Sequence, residues 1–99
     1  MTQQQQFNHA FFADLACPTS VTWTNDIQKL FTATDVSHMK QVTNNQLDLS
    51  NYNSVKIWAH KIYSEVATGA MPPAGSGEQP WPKSQVDTFG CWIQQGCPQ

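Results

Sequence analysis

Arginine is absent from this sequence, and positive charge is carried by only five lysines. The lysines are scattered along the chain, at Lys29, Lys40, Lys56, Lys61 and Lys83. Against seven acidic side chains they leave a formal net charge of −2. Neutralisation of phosphates by lysine and arginine supplies most non-specific affinity for nucleic acids, and anionic membranes attract basic clusters in the same way. The composition therefore predicts that neither a nucleic acid nor a membrane is a partner.

Long apolar runs are absent as well. No segment approaches the roughly 20 apolar residues that a membrane-spanning helix needs. The glutamine-rich amino terminus also lacks the basic segment and the apolar run of a secretory signal. From these absences we expect a cytoplasmic protein.

Cysteine is scarce, and the spacing of the cysteines does not match that of a metal site. The three cysteines, Cys17, Cys91 and Cys97, are an odd number and form no C-x-x-C pair, which argues against a cysteine-rich zinc site. We expect three reduced thiols. A disulfide between Cys17 and Cys97, or between Cys91 and Cys97, stays open for an oxidising compartment.

Aromatic residues, by contrast, are plentiful, with four Trp, five Phe and two Tyr among 99 residues. They supply the bulk that one small domain needs for a dense core. Residues 1–20 are predicted to form an N-terminal arm, and residues 21–99 a single helical domain.

Two helical segments are predicted in the first half of this domain. In the first, Thr24 is the expected N-cap, and Ile27 and Phe31 lie on one apolar face. In the second, Asp35 is the expected cap of a short helical turn that carries His38. An asparagine pair then marks a loop.

Two further helices are predicted in the second half. The middle helix has a buried stripe with helical spacing, formed by Val55, Ala59, Ile62 and Val66. Asn51 or Asn53 is expected to cap its start, and Gly69 to end it in the left-handed conformation. The last helix is expected to open at Pro82, whose fixed φ suits a first helical position, and to end at Gly96.

Three motifs follow one another along the chain: D-I-Q-K-L-F at residues 26–31, M-P-P at 71–73 and W-I-Q-Q-G at 92–96. In this order they resemble the cytochrome c family. There such an opening helix precedes C-x-x-C-H, M-P-P carries the axial methionine, and W-I-x-x-G ends the last helix. The resemblance implies an all-α fold, a small cytochrome c-like bundle of about four helices joined by long loops.

The sequence departs from the family at the haem-attachment motif. Residues 34–38 read T-D-V-S-H, so the hydroxyl side chains of Thr34 and Ser37 stand where the two thioether-forming cysteines belong. Covalent haem is therefore excluded at these positions. The resemblance nevertheless places His38 and Met71 at the two axial-ligand positions of the family.

We prefer the interpretation that the domain carries no cofactor and that aromatic side chains fill the space of the lost haem. The candidates are Trp23, Trp58, Trp81, Trp92, Tyr52 and Tyr63. An empty cavity of haem size would be costly, because destabilisation rises by about 24 cal/mol per Å³. The predicted function is then that of an accessory or binding partner of a larger protein, an oxidoreductase by analogy of fold. Pro72, Pro73 and Trp81 are the predicted contact surface.

Three alternatives stay open. Non-covalent haem held by His38 and Met71 would make a one-electron carrier, because a His/Met pair raises the reduction potential. Copper held by His38, Met39 and Met71 would serve the same purpose, since thioether and imidazole ligands suit Cu(I). A small enzyme could instead use a pocket at the former haem site with His38 as acid or base, although a non-enzymatic role is preferred.

Overall fold

The computed structural model describes Cys17 and residues 19–72 and 77–99, and all regular structure within them is helical. A π-helical turn, Trp23–Ile27, runs directly into a 3₁₀ turn, Gln28–Leu30. Four α-helices follow in the described residues: α1 (Ala33–Val42), α2 (Tyr52–Ile57), α3 (Ala59–Thr68) and α4 (Lys83–Gln94). This confirms the predicted all-α class. Most of the predicted N-terminal arm, residues 1–16, lies outside the described residues.

The opening helical turns begin at Thr22 and not at the predicted cap Thr24. The Thr22 hydroxyl accepts a hydrogen bond of 3.2 Å from the backbone N–H of Asn25, and the Asp26 carboxylate accepts one of 2.9 Å from the N–H of Thr22. Thr24 therefore lies inside the first turn, where its hydroxyl donates to the carbonyl of Gln99 at 3.0 Å.

The start of α1 is fixed by a capping box at Thr32 and Asp35. The Thr32 hydroxyl accepts from the Asp35 N–H at 3.1 Å, and the Asp35 carboxylate accepts from the Thr32 N–H at 3.1 Å. The prediction that Asp35 itself is the cap was wrong, because Asp35 occupies the third helical position and returns the bond. All of residues 34–38 are consequently helical.

The middle helix is bounded as predicted. The Asn51 side chain accepts from the Ser54 N–H at 3.0 Å, and Gly69 ends the helix with φ of 81°. The structure differs at Trp58, whose φ of −94° and ψ of 9° separate α2 from α3. Hydrogen bonds of the helical type continue through this point, from the Trp58 N–H to Ser54 and from the Ile62 N–H to Trp58. The two helices are thus one kinked rod.

The last helix, α4, begins one residue later than predicted. Pro82 is its N-cap, with an extended ψ of 157°, and the helix gives way to Gln95 and to Gly96, whose φ is 89°. Phe89 and Trp92 project from α4 and are fully buried.

The core lies between the opening turns, the kinked rod and α4. Trp23 and Tyr52 contact each other with ring centroids 6.0 Å apart, and both lie 6.2 Å from Trp92. Phe89 extends this cluster at 5.4 Å from Trp92. The tilted and edge-on arrangements are those that aromatic pairs prefer. Three of the six aromatic residues predicted to fill the interior therefore pack together here.

One disulfide, between Cys17 and Cys91, joins the amino-terminal segment to α4. Cys97 is a buried free thiol. The predictions of three reduced thiols and of a bond to Cys97 were both wrong, because Cys97 follows the turn at Gly96 and faces the core, whereas Cys91 lies on the helix beside the incoming segment. Disulfides form and persist mainly in oxidising compartments.

None of the described helices has both the length and the apolar character required to cross a bilayer.

Candidate ligand site between α1 and α3

A cavity of about 310 Å³ opens between α1 and α3, and we call it the His38 cavity. Its lining consists of His38, Met39, Thr43, Leu47, Trp58, Lys61, Ile62, Glu65, Ala70 and Met71. All three residues predicted as metal ligands, and both predicted haem ligands, are thus brought to one place. The segments that supply them are separated by more than 30 positions in the chain, so the fold and not the local sequence brings them together.

His38 and Met39 reach the cavity from α1. Neighbouring residues of an α-helix project about 100° apart, which follows from 3.6 residues per turn. Both side chains nevertheless line the same cavity, and both are half-buried. Because the Thr32–Asp35 capping box fixes where α1 begins, it also fixes the direction in which these side chains point.

Met71 enters the cavity from the opposite side, on the loop after α3. The left-handed turn at Gly69 reverses the chain, and the Met71 N–H then donates to the carbonyl of Glu65 at 3.1 Å. The loop is thereby held against the end of α3, and the Met71 side chain is only 6% exposed. The following peptide bond, to the buried Pro72, is cis.

The walls of the His38 cavity are mostly apolar. Leu47 and Ile62 are buried in the core, and the Trp58 ring is half-buried at the kink. The charged groups on the lining are Lys61 and Glu65, which form an ion pair of 3.1 Å along α3. Their charges offset each other, so the cavity has little net charge from the protein.

The residues of the cavity meet the chemical requirement for an axial haem pair, since an imidazole and a thioether line the same space. The size does not fit as well. Pockets for small molecules measure roughly 300–1,000 Å³, so a volume of about 310 Å³ lies at the small end of the range. The cavity favours an ion or a small molecule over a macrocycle. None of the three cysteines lines it.

The described part of the chain shows no metal site built from oxygen, nitrogen and thiolate ligands. Within it, no cluster of three or more His, Cys, Asp and Glu side chains is arranged to hold a metal ion. A metal bound in the His38 cavity would therefore depend on methionine thioethers.

The predicted partner surface lies elsewhere, around Trp81. The Trp81 ring is half-buried and packs against Phe31 at 5.5 Å and against Phe89 at 6.1 Å between centroids. Pro72 is buried, and Pro73 lies outside the described residues. Trp81 thus fastens its loop to the core with one part of its ring and leaves the rest accessible.

A second cavity, of about 340 Å³, borders Trp81 and is called the Trp81 cavity here. Its lining consists of Lys29, Leu30, Thr32, Asp35, Pro72, Glu78, Gln79, Pro80, Trp81, Pro82 and Gln85. The Thr32 hydroxyl donates to the Glu78 carboxylate at 2.5 Å and so ties the loop to the start of α1. Lys29, on the opening helical turns, was not predicted from the sequence to belong to this surface.

Comparison with known proteins gives one significant relationship. The chain is 32% identical over 91 residues to the cyclopenase PenL of Penicillium thymicola. The match covers 83% of this chain but only 12% of the relative, so the chain spans about an eighth of the length of the protein it matches. No protein-family model matches the chain, and no solved structure is significantly similar to it.

Proposed function

We propose that this chain is a haem-free, cytochrome c-like accessory module of a larger enzyme. The proposal depends mainly on the match with the cyclopenase. The aligned segment covers 83% of this chain but only 12% of that enzyme. A domain of this kind therefore occurs within a much longer enzyme. The proposal extends that role to the present chain, either within a longer polypeptide or as a separate subunit.

The cytochrome c-like part of the proposal is supported by the order of the helical elements and by the placement of His38 and Met71. Both side chains line one cavity, as the resemblance implies for axial ligands. The haem-free part is supported by the absence of cysteines in residues 34–38 and by the modest cavity volume of about 310 Å³.

The Trp81 cavity is the contact surface that we propose for the larger protein. A half-buried tryptophan between two prolines offers a large apolar area at low entropic cost, and aromatic anchors dominate the energetics of interfaces. Lys29 and Glu78 on the same lining supply charges of both signs at the edge of the cavity. Such a surface suits a protein partner better than a small apolar ligand.

The test uses the relative as the host enzyme. The aligned segment is deleted from the Penicillium thymicola cyclopenase, and the present chain is added as a separate protein. Binding is measured by calorimetry, and turnover of the truncated enzyme is compared with and without the chain. We expect binding, together with partial recovery of the turnover lost on deletion. Undiminished turnover after deletion, or no binding to a folded truncated enzyme, would contradict the proposal.

A matched pair of variants locates the surface. Lys29→Glu reverses a charge on the Trp81 cavity, whereas Gln28→Glu changes the adjacent exposed residue outside it. We expect Lys29→Glu to weaken binding by about tenfold, a change of about 1.4 kcal/mol, and Gln28→Glu to leave it unchanged. Equal effects of the two variants would place the interface elsewhere.

A one-electron carrier with non-covalent haem is a second candidate, favoured by the placement of His38 and Met71 on one cavity. Reconstitution with haem followed by an absorption spectrum tests it. A Soret band that His38→Ala abolishes would support haem ligation. A colourless protein after reconstitution would exclude it.

A further inference from the structure

We infer that the His38 cavity is a binding site for a soft monovalent metal ion, Cu(I), with His38, Met39 and Met71 as ligands. The inference rests on a juxtaposition that only the fold creates. Two thioethers and one imidazole, from α1 and from the loop after α3, line a single cavity of about 310 Å³. It is independent of the proposed accessory role, because it concerns a different cavity from the one beside Trp81.

The ligand types select the metal. Thioether sulfur is a soft donor that prefers Cu(I), while Mg²⁺ and Ca²⁺ require oxygen ligands. The oxygen-bearing side chains on the lining are Thr43 and Glu65. The Glu65 carboxylate is paired with Lys61 at 3.1 Å, and the Thr43 hydroxyl donates to the Met39 carbonyl at 2.5 Å. Neither oxygen is therefore disposed to recruit a hard dication.

The charge of the site also favours a monovalent ion. Imidazole and thioethers are neutral ligands, and the nearby ion pair contributes no net charge. Zinc sites in proteins use thiolate, imidazole and carboxylate ligands, usually four of them. One histidine with two thioethers does not meet that pattern, so the site discriminates against Zn²⁺.

The Trp58 ring completes the site. It lies on the same lining and is half-buried, so one part of its indole borders the cavity. A cation close to the face of a tryptophan is attracted by the quadrupole of the ring. A cation bound in the cavity would lie near this ring, so its presence should change the Trp58 fluorescence.

The proposed ligands differ in how far solvent reaches them. His38, Met39 and Trp58 are half-buried and reachable from solvent, whereas Met71 is 6% exposed and held by its loop. An incoming ion therefore meets two adjustable ligands on α1 and one fixed ligand from the loop.

The experiment is an anaerobic titration of the oxidised, disulfide-bonded protein with Cu(I) supplied as a complex with a chromogenic chelator. Competition with the chelator gives stoichiometry and affinity, and tryptophan fluorescence is recorded in parallel. Ag(I) serves as a redox-inert probe and Zn²⁺ as the comparison ion. We expect one Cu(I) or Ag(I) per chain with quenching of fluorescence, and at least about tenfold weaker binding of Zn²⁺, or about 1.4 kcal/mol.

Conservative variants test the ligands. Met39→Leu and Met71→Leu conserve side-chain volume, so the fold is expected to survive, and circular dichroism checks this. Each should weaken Cu(I) binding by about tenfold or more, and the double variant should abolish it. His38→Gln should have a similar effect at a half-buried position. His60→Ala, on the exposed face of α3, is the control and should leave the affinity unchanged.

The remaining thiol needs its own control, because Cu(I) also binds thiolates. Cys97 is buried and does not line the cavity. Cu(I) binding should therefore persist in Cys97→Ala. Loss of binding in Cys97→Ala, or unchanged binding in the folded double methionine variant, would overturn the inference.

Discussion

The indole nitrogen of Trp92 donates a hydrogen bond of 2.8 Å to the carbonyl oxygen of Pro98, so the last helix is tied to the tail that follows it. The same carbonyl accepts a second bond, of 2.9 Å, from the backbone N–H of Trp23. The Tyr52 hydroxyl donates to the carbonyl of Cys97 at 2.6 Å. Three aromatic residues that contact one another in the core thus also anchor the carboxyl-terminal residues.

Replacement of Trp92 by phenylalanine removes this indole donor while an aromatic ring remains in the core. Loss of the hydrogen bond and part of the buried volume should lower the free energy of unfolding by about 1–3 kcal/mol, as measured by urea denaturation. Trp58→Phe, at the half-buried kink, is the matched control and should cost less. Equal losses for the two variants would show that the anchoring of the tail contributes little.

The Cys17–Cys91 disulfide closes a long loop and should contribute strongly to stability. Its sequence separation of 74 residues corresponds to roughly 4 kcal/mol of unfolded-state entropy in the chain-entropy account. The double variant Cys17→Ser/Cys91→Ala should therefore unfold at a markedly lower temperature than the oxidised protein. Scanning calorimetry checks this, with Cys97→Ala as a control that keeps the bond.

A count of thiols tests the same pairing directly. Alkylation in denaturant without reductant should modify one cysteine per chain, and peptide mapping should identify it as Cys97. In the native state this reaction should be slow, because burial raises the pKa of the Cys97 thiol and excludes the reagent. Three modified cysteines before reduction would contradict the disulfide.

The capping box at the start of α1 predicts a contrast between two neighbouring threonines. Thr32→Ala removes the acceptor for the Asp35 N–H and should cost about 1 kcal/mol of stability. Thr34→Ala, at the exposed second residue of the helix, should be nearly neutral. Thermal unfolding of both variants measures the contrast. Because the cap sets the start of α1, Thr32→Ala should also weaken Cu(I) binding at His38 more than Thr34→Ala does.

Local signals in the sequence predicted much of this fold. Asn51 and Gly69 mark the ends of the middle helix because a side-chain cap and a left-handed stop act within a few residues. The meeting of His38 and Met71 in one cavity was expected from the cytochrome c resemblance, since it depends on contacts between distant segments that no local pattern contains.

The predictions that failed concern positions where two or more residues of similar type could fill the same role. Thr22 and Thr32 cap their helices in place of Thr24 and Asp35, because carboxylates at Asp26 and Asp35 return a bond to the cap. The pairing of Cys17 with Cys91 depends on the path of the amino-terminal segment along α4. Three cysteines allow three pairings, and their spacing does not distinguish among them.

The decrease in stability at acid pH should depend in part on Asp48, whose carboxylate lies in the loop before α2. The pKa of this carboxyl is lowered most by a hydrogen bond of 2.6 Å from the Ser50 hydroxyl, and next by one of 2.9 Å from the Ser50 N–H. The ammonium group of Lys40, 3.7 Å from the carboxylate, lowers the pKa less. Since the unfolded pKa of aspartate is about 3.9, this contribution is present above that pH and is lost as the pH falls through the lower folded value.

Asp48→Asn should therefore have a lower melting temperature than the parent protein at pH 6, and the difference should shrink as the pH falls below about 3.9. The effect should be modest, because the Asp48 side chain is 31% exposed and solvent screens its interactions. Ser50→Ala should reproduce most of the change, whereas Lys40→Met should reproduce less of it. A larger effect of Lys40→Met than of Ser50→Ala would mean that the ion pair, and not the hydrogen bonds from Ser50, holds the loop ahead of α2.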